Sequence, residues 1–118
     1  MVRSFRDLIV WQRGIDVTVA VYRLTKDFPR EEMYGLTSQI RRSAVSVPSN
    51  IAEGHGRLNT REFRHFVAIA RGSNFELQTQ LEIAKALKFG DPVLLAEVES
   101  LSHEVGRMLF GLLESLES

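Results

Sequence analysis

Apolar residues recur at three- and four-residue spacing along nearly the whole chain, and only three prolines, at 29, 48 and 92, interrupt them. That period belongs to α-helices; strands alternate every second residue. The hairpin dipeptides Asn-Gly and Asp-Gly are absent, which removes the strongest short-range signal for paired strands. The chain is therefore read as all-α, with prolines and glycines dividing it into four helical segments. Its 118 residues, 44% of them hydrophobic, suit a single domain spanning residues 1–118. A chain of that length buries enough surface to do without a disulfide or metal staple.

The spacing predicts a first helix from about Arg6 to Asp27. It carries two apolar stripes. Leu8, Trp11, Ile15, Val19 and Tyr22 form one; Val10, Gly14, Val17, Val21, Leu24 and Phe28 form the other. A surface helix needs one stripe, so this helix is either central or faces a partner subunit as well as its own core. Phe28-Pro29 ends it. A second helix is predicted from Tyr34 to Glu53, with Leu36, Ile40, Ala44, Val47 and Ile51 inward. Pro48 lies inside it, removes a backbone donor, and predicts a kink between Ala44 and Pro48. Ser46, Ser49 and Asn50 stand ready to serve the freed carbonyls, and Asn50 and Glu53 are expected to make inter-helix polar contacts. Gly54-His55-Gly56 is read as the stop.

Asn59 followed by Glu62 reads as an N-terminal capping box. The third helix then runs to about Phe89 on Phe63, Val67, Ala70, Asn74, Leu77, Leu81 and Ala84. Asp91-Pro92 opens the fourth helix, whose inward stripe is read as Leu94, Val98, Leu101, Val105, Met108, Leu112 and Leu116. Four amphipathic helices on short loops predict an antiparallel up-down-up-down bundle. A bundle of different connectivity is the competing fold.

The residues for common chemistries are missing. Without cysteine there is no disulfide framework, CxxC redox site or cysteine nucleophile, a composition compatible with the cytoplasm. The N-terminal segment has no signal-peptide core, and no stretch approaches the ~20 apolar residues that span a bilayer. A di-iron bundle needs Glu-x-x-His on two helices; Glu62-Phe63-Arg64-His65 supplies one such element and no second exists. Glu62 is better read as a cap and His65 as a surface residue, so neither metal nor cofactor is expected. No nucleophile elbow or Walker lysine occurs. Gly54-His55-Gly56 follows a helix instead of a strand, and reads as a turn. The chain is expected not to be an enzyme.

Charge is the informative feature. Fifteen cations cancel fifteen anions overall, yet residues 1–75 hold twelve basic and seven acidic groups, and residues 76–118 hold three and eight. Twelve of the cations are arginine, whose planar fork suits phosphate. Arg61, Arg64 and Arg71 fall along one flank of the third helix, with His55 and Arg57 where that flank begins. An antiparallel hairpin turning near Arg57 sets Arg42 roughly level with Gly72, so Arg41 and Arg42 extend the same surface. These seven residues are the candidate nucleic-acid contacts. The alternative is structural: an Arg–Glu bridge from Arg41 or Arg42 to Glu76, and ordinary solvation elsewhere. Phe75 lies off the inward stripe and is assigned to a subunit interface before a base-stacking role.

The segment Gln39-Ile40-Arg41-Arg42-Ser43-Ala44-Val45-Ser46-Val47-Pro48-Ser49-Asn50-Ile51-Ala52-Glu53-Gly54 resembles the central motif of the four-helix-bundle proteins encoded in intervening sequences of bacterial 23S ribosomal RNA genes. Phe5-Arg6-Asp7-Leu8 with Val10-Trp11 resembles that family's opening, and Phe28-Pro29 followed by Tyr34-Gly35-Leu36 its first turn. Gly72-Ser73 and Glu76-Leu77-Gln78-Thr79-Gln80-Leu81 resemble its third helix. The resemblance implies an antiparallel four-helix bundle and a homo-oligomer, a homopentamer in some members. It supplies no catalytic residues. A bundle of related fold, the accessory variability protein of diversity-generating retroelements, binds nucleic acid and a reverse transcriptase. By that analogy the expected function is a non-enzymatic, oligomeric RNA-binding accessory protein, with a reverse-transcriptase-like protein as a further partner. A protein-interaction scaffold that binds no nucleic acid is the other reading.

Overall fold

The computed structural model describes residues 3–117. Four helices follow a short 3₁₀ turn at Phe5–Asp7: α1 is Ile9–Thr25, α2 Leu36–His55, α3 Thr60–Ala86 and α4 Pro92–Ser115. A second 3₁₀ turn, Arg30–Glu32, lies between α1 and α2, and no strand occurs among the described residues. Each helix packs on its chain neighbours and α1 closes on α4, while the diagonal pairs do not meet. That is the up-down-up-down arrangement, 44 Å long and 23 by 20 Å across.

The helix ends follow local chemistry. Ser4 caps the first 3₁₀ turn, and Leu8 leaves it in an extended conformation, so α1 begins at Ile9 instead of Arg6. The Glu32 carboxylate accepts from the Leu36 amide at 3.1 Å, which satisfies an orphan donor and starts α2 there. Asn59 caps α3 through the Glu62 amide at 2.8 Å, and Asp91 caps α4 through Val93 at 2.8 Å. At the end of α3, Lys88 stands at φ +60°. Its amide reaches the Lys85 carbonyl and the Phe89 amide reaches Ala84. This is a Schellman closure with lysine where glycine is usual, and it ends the helix at Ala86, short of Phe89.

Pro48 does not interrupt α2. Its missing N–H would have met the Ala44 carbonyl. The Thr18 hydroxyl of α1 donates to that oxygen instead, at 3.2 Å, sharing its proton with the Gly14 carbonyl at 2.8 Å. The helices meet closely here: a Cβ on Gly14 would sit 3.3 Å from the Pro48 Cβ. The expected helpers act elsewhere. Asn50 donates to the Ser46 carbonyl and hydroxyl within its own helix, and Ser46 then joins Ser73 of α3 at 2.8 Å. Asn50 therefore reaches α3 only through Ser46, and exposed Glu53 pairs locally with Arg57.

Gly54 is not a stop. The helix continues through His55, and Gly56 ends it in ordinary right-handed conformation. Gly54 instead admits α3: a Cβ there would lie 2.6 Å from the Phe66 Cβ and 3.2 Å from the Phe63 carbonyl.

The core is built from the second α1 stripe, with Ile40, Ala44, Val47 and Ile51 of α2 and Val67, Leu77 and Leu81 of α3. Ile15, Val19 and Tyr22 of the other α1 stripe are 38%, 46% and 46% exposed. In α4 the inward stripe is displaced by one residue from expectation at most positions. Leu95, Val98, Ser102, Val105, Leu109 and Leu113 are buried, while Leu94, Leu101, Met108, Leu112 and Leu116 are half-buried. Two overlapping apolar stripes share Val98 and Val105, and Ser102 argues against the one adopted. Ser102 is nonetheless buried because Asn74 meets it. Its hydroxyl donates to Asn74 Oδ1 at 2.9 Å, and Asn74 Nδ2 donates to its carbonyl at 3.0 Å.

Candidate nucleic-acid interface

The seven candidate residues divide into separate groups. Arg41 turns toward α1, where its Nε donates to Thr25 Oγ1 at 2.9 Å and its guanidinium lies 4.5 Å from the Tyr22 ring centre. It makes no bridge to Glu76. Arg42 is exposed beside it, on an open depression shared with Tyr34 and Val45. The Ser46–Ser73 and Gly54–Phe66 contacts place Arg42 nearer the level of Leu77 than of Gly72. Thirteen residues of α2 follow Arg42 to His55, about 20 Å at 1.5 Å per residue, and Arg57 lies beyond that end. Arg41 and Arg42 therefore do not extend the surface that Arg57 begins.

At the α2–α3 turn, Arg57 pairs with Glu53 at 3.0 Å and covers the Phe66 ring at 4.7 Å. His55 is half-buried, edge-on to Phe63. The Glu62 carboxylate accepts from Asn59 Nδ2 at 2.9 Å, which engages it at the cap, and His65 lies edge-on to Phe66. Among the described residues no three His, Asp or Glu side chains converge on a metal-sized site.

The expected flank of α3 exists, and it forms one wall of a groove whose other wall is α4. Arg61 and Arg64 line an open depression of about 500 Å³ with His65, Leu116 and Glu117. Arg61 makes no ion pair among the described residues. Arg64 donates from Nε to the Leu113 carbonyl at 3.3 Å, and its Nη2 lies 3.8 Å from Glu117. The last turn of α4 has no cation of its own, so Arg64 supplies the positive charge that a helix C-terminus favours. Farther along, Arg71 covers two rings, Phe75 at 5.0 Å and Phe110 of α4 at 5.4 Å. A second depression of about 350 Å³ opens there, lined also by Gln78, His103 and Arg107.

Arg107, His103 and Phe110 are the groove residues that sequence reasoning passed over. The usable signal was Phe110, an aromatic off the inward stripe of α4 and one turn from Arg107. No described helix is long and apolar enough to cross a membrane.

A family model described as 23S rRNA-intervening sequence protein matches residues 6–111. Among solved structures, the chain is similar to a protein of unknown function from the S23 ribosomal protein family of Bacteroides thetaiotaomicron. The two share 19% identity with a TM-score of 0.78, over 88% of this chain and 97% of the other. At that identity the likeness is one of fold. A search of curated proteins gave no match.

Proposed function

The chain belongs to the family of 23S rRNA-intervening sequence proteins, and from that premise we propose that it is a non-enzymatic, self-associating bundle that binds RNA along the α3–α4 groove. One observation carries the reading: Arg61 and Arg64 line one depression beside α3, and Arg71 and Arg107 line a second farther along the same side. Each is positioned by a helix, so the guanidiniums stand at set heights along it. Phosphate contacts from such a row supply affinity without sequence specificity. Arg41, held by Thr25 and Tyr22, and Arg57, paired with Glu53, belong to the scaffold in this proposal.

Self-association is supported by the exposed Ile15, Val19 and Tyr22 on α1. An exposed apolar row marks a surface for protein contact, and the pentamer of the family resemblance is the stoichiometry we propose. Such a ring repeats the groove, and repetition raises avidity for a polyanion. We place the protein in the cytoplasm. The retroelement analogy adds a reverse-transcriptase-like protein as a candidate partner.

The test is fluorescence anisotropy with a labelled RNA at low and physiological salt, with assembly mass followed by light scattering. Arg61→Glu with Arg71→Glu is the informative pair, because Arg64 also holds the end of α4. Affinity should fall at unchanged mass, and the salt slope should shrink by about one per lost phosphate contact. Binding no better than that of an unrelated neutral bundle would overturn the proposal. The competing reading, a protein-interaction scaffold, is favoured by one fact: Arg41, Arg57 and Arg64 are each engaged by the chain's own groups. It predicts that the charge reversal breaks the assembly first.

A further inference from the structure

We infer that the α3–α4 groove takes RNA as a single strand, with unpaired bases stacked on Phe75 and Phe110; the inference rests on the RNA-binding reading above. The two rings come from facing helices, and each leaves about half its surface in water, 49% for Phe75 and 48% for Phe110. Neither is needed for the core, since both lie outside the buried cluster and its half-buried neighbours. One guanidinium serves both: Arg71 stands 5.0 Å from one ring centre and 5.4 Å from the other. Aromatic faces held beside a planar cation are the elements from which single-strand stacking platforms are made.

Charge complementarity chooses the occupant. The depression around the rings is lined by Arg71, Arg107, His103 and Gln78, with no carboxylate. An apolar protein surface laid here would strip water from those cations without returning a charge, which is costly. A nucleotide offers a ring for the phenylalanines and a phosphate for the arginines. The track is bounded at one end, because the next depression past His103 includes Glu82 and Glu99, which repel phosphate. Arg61 and Arg64 lie toward the other end, where the one lining carboxylate among the described residues, Glu117, is paired with Arg64. A duplex keeps its base faces stacked internally, so it can use the arginines and not the rings.

The experiment compares a labelled oligouridylate with a blunt RNA duplex of equal length, using the full chain. The wild type should bind the single strand more tightly at physiological salt. Phe75→Leu with Phe110→Leu should weaken single-strand binding by about tenfold or more, since one stacked base is worth about 1–3 kcal/mol. Duplex binding and the salt slope should not change. The corresponding tyrosine variants should keep wild-type affinity, which separates ring stacking from any loss of fold. Single-strand binding unaffected by the leucine variants, or a wild-type preference for the duplex, would overturn the inference. So would a change of assembly mass in the leucine variants, which would assign the rings to a subunit contact. Loss on Arg61→Glu without loss on the leucine variants removes the stacking and leaves the RNA reading standing. A wild type that binds neither RNA removes both.

Discussion

Replacing Thr18 by valine tests how α2 survives its proline. The change keeps the shape of the side chain and deletes the hydroxyl that donates to the Ala44 carbonyl. Ala44 is fully buried, and Pro48 offers its carbonyl no amide. Its oxygen then has no donor from the backbone ladder, and an unsatisfied buried polar group costs about 1–3 kcal/mol. The contact is long for a hydroxyl donor at 3.2 Å, and its proton is shared with Gly14 at 2.8 Å. Those distances place the loss in the lower half of the range, about 1–2 kcal/mol, or roughly 4–8 °C in Tm for a chain of this size. Urea denaturation at fixed protomer concentration measures it, since assembly adds concentration-dependent stability. The decisive arm is a double-mutant cycle with Pro48→Ala, which returns an N–H to Ala44. In that background Thr18→Val should cost only a few tenths of a kcal/mol, giving a coupling of about 1 kcal/mol. Equal costs in the two backgrounds would refute the role assigned to Thr18.

Gly54→Ala should destabilise by about 2–3 kcal/mol, because its Cβ would meet backbone-proximal atoms of Phe66 and Phe63 that cannot swing away; chemical denaturation reads it, and a cost under about 1 kcal/mol would mean that α2 and α3 do not depend on a close approach there. Asn74→Ala should cost about 1–3 kcal/mol, because the buried Ser102 hydroxyl loses its acceptor and keeps only the donor Gln78, and adding Ser102→Ala should recover part of it; no recovery would show that the pair is not one unit. Lys88→Gly should stabilise by up to about 1 kcal/mol in chemical denaturation, by relieving a left-handed lysine; a loss of stability would contradict the strain. Val19→Asp, on a position 46% exposed, should lower the assembly mass in light scattering while leaving the helical circular dichroism intact; unchanged mass would take α1 out of the subunit contact.

Features set by neighbouring residues were legible in the chain. Asn59 with Glu62 and Asp91 with Pro92 mark helix starts because a cap is satisfied within one turn. The inward stripe of α3 was legible for a related reason: its apolar positions admit one face only. What escaped depended on a partner far away in sequence. Ser102 reads as an outward residue until Asn74 meets it, and that one pair moves the whole inner face of α4. Gly54 reads as a helix stop because the residue type does not say whether the missing Cβ serves a turn or a neighbour's approach. Arg41 reads as a surface cation because Thr25 and Tyr22, which hold it, lie on another helix. At the candidate site the α3 flank of Arg61, Arg64 and Arg71 was visible as spacing. The wall opposite, with Arg107, His103 and Phe110, required the register of α4.

That register is itself protected. The apolar positions of α4 repeat every three or four residues from Leu94 to Leu116, so a slide of one heptad along α3 would still bury leucine and valine. The Asn74–Ser102 pair removes that freedom. Shifted by seven residues in either direction, the Asn74 amide would face Leu95 or Leu109 and lose both of its partners, while Ser102 would be stranded among apolar side chains. A single polar pair in a helical seam specifies alignment in this way, at some cost in stability against an apolar seam. It also keeps the two walls of the groove in step, so that a slip would shift Phe110 by about 10 Å along α3 and break the pair of rings apart.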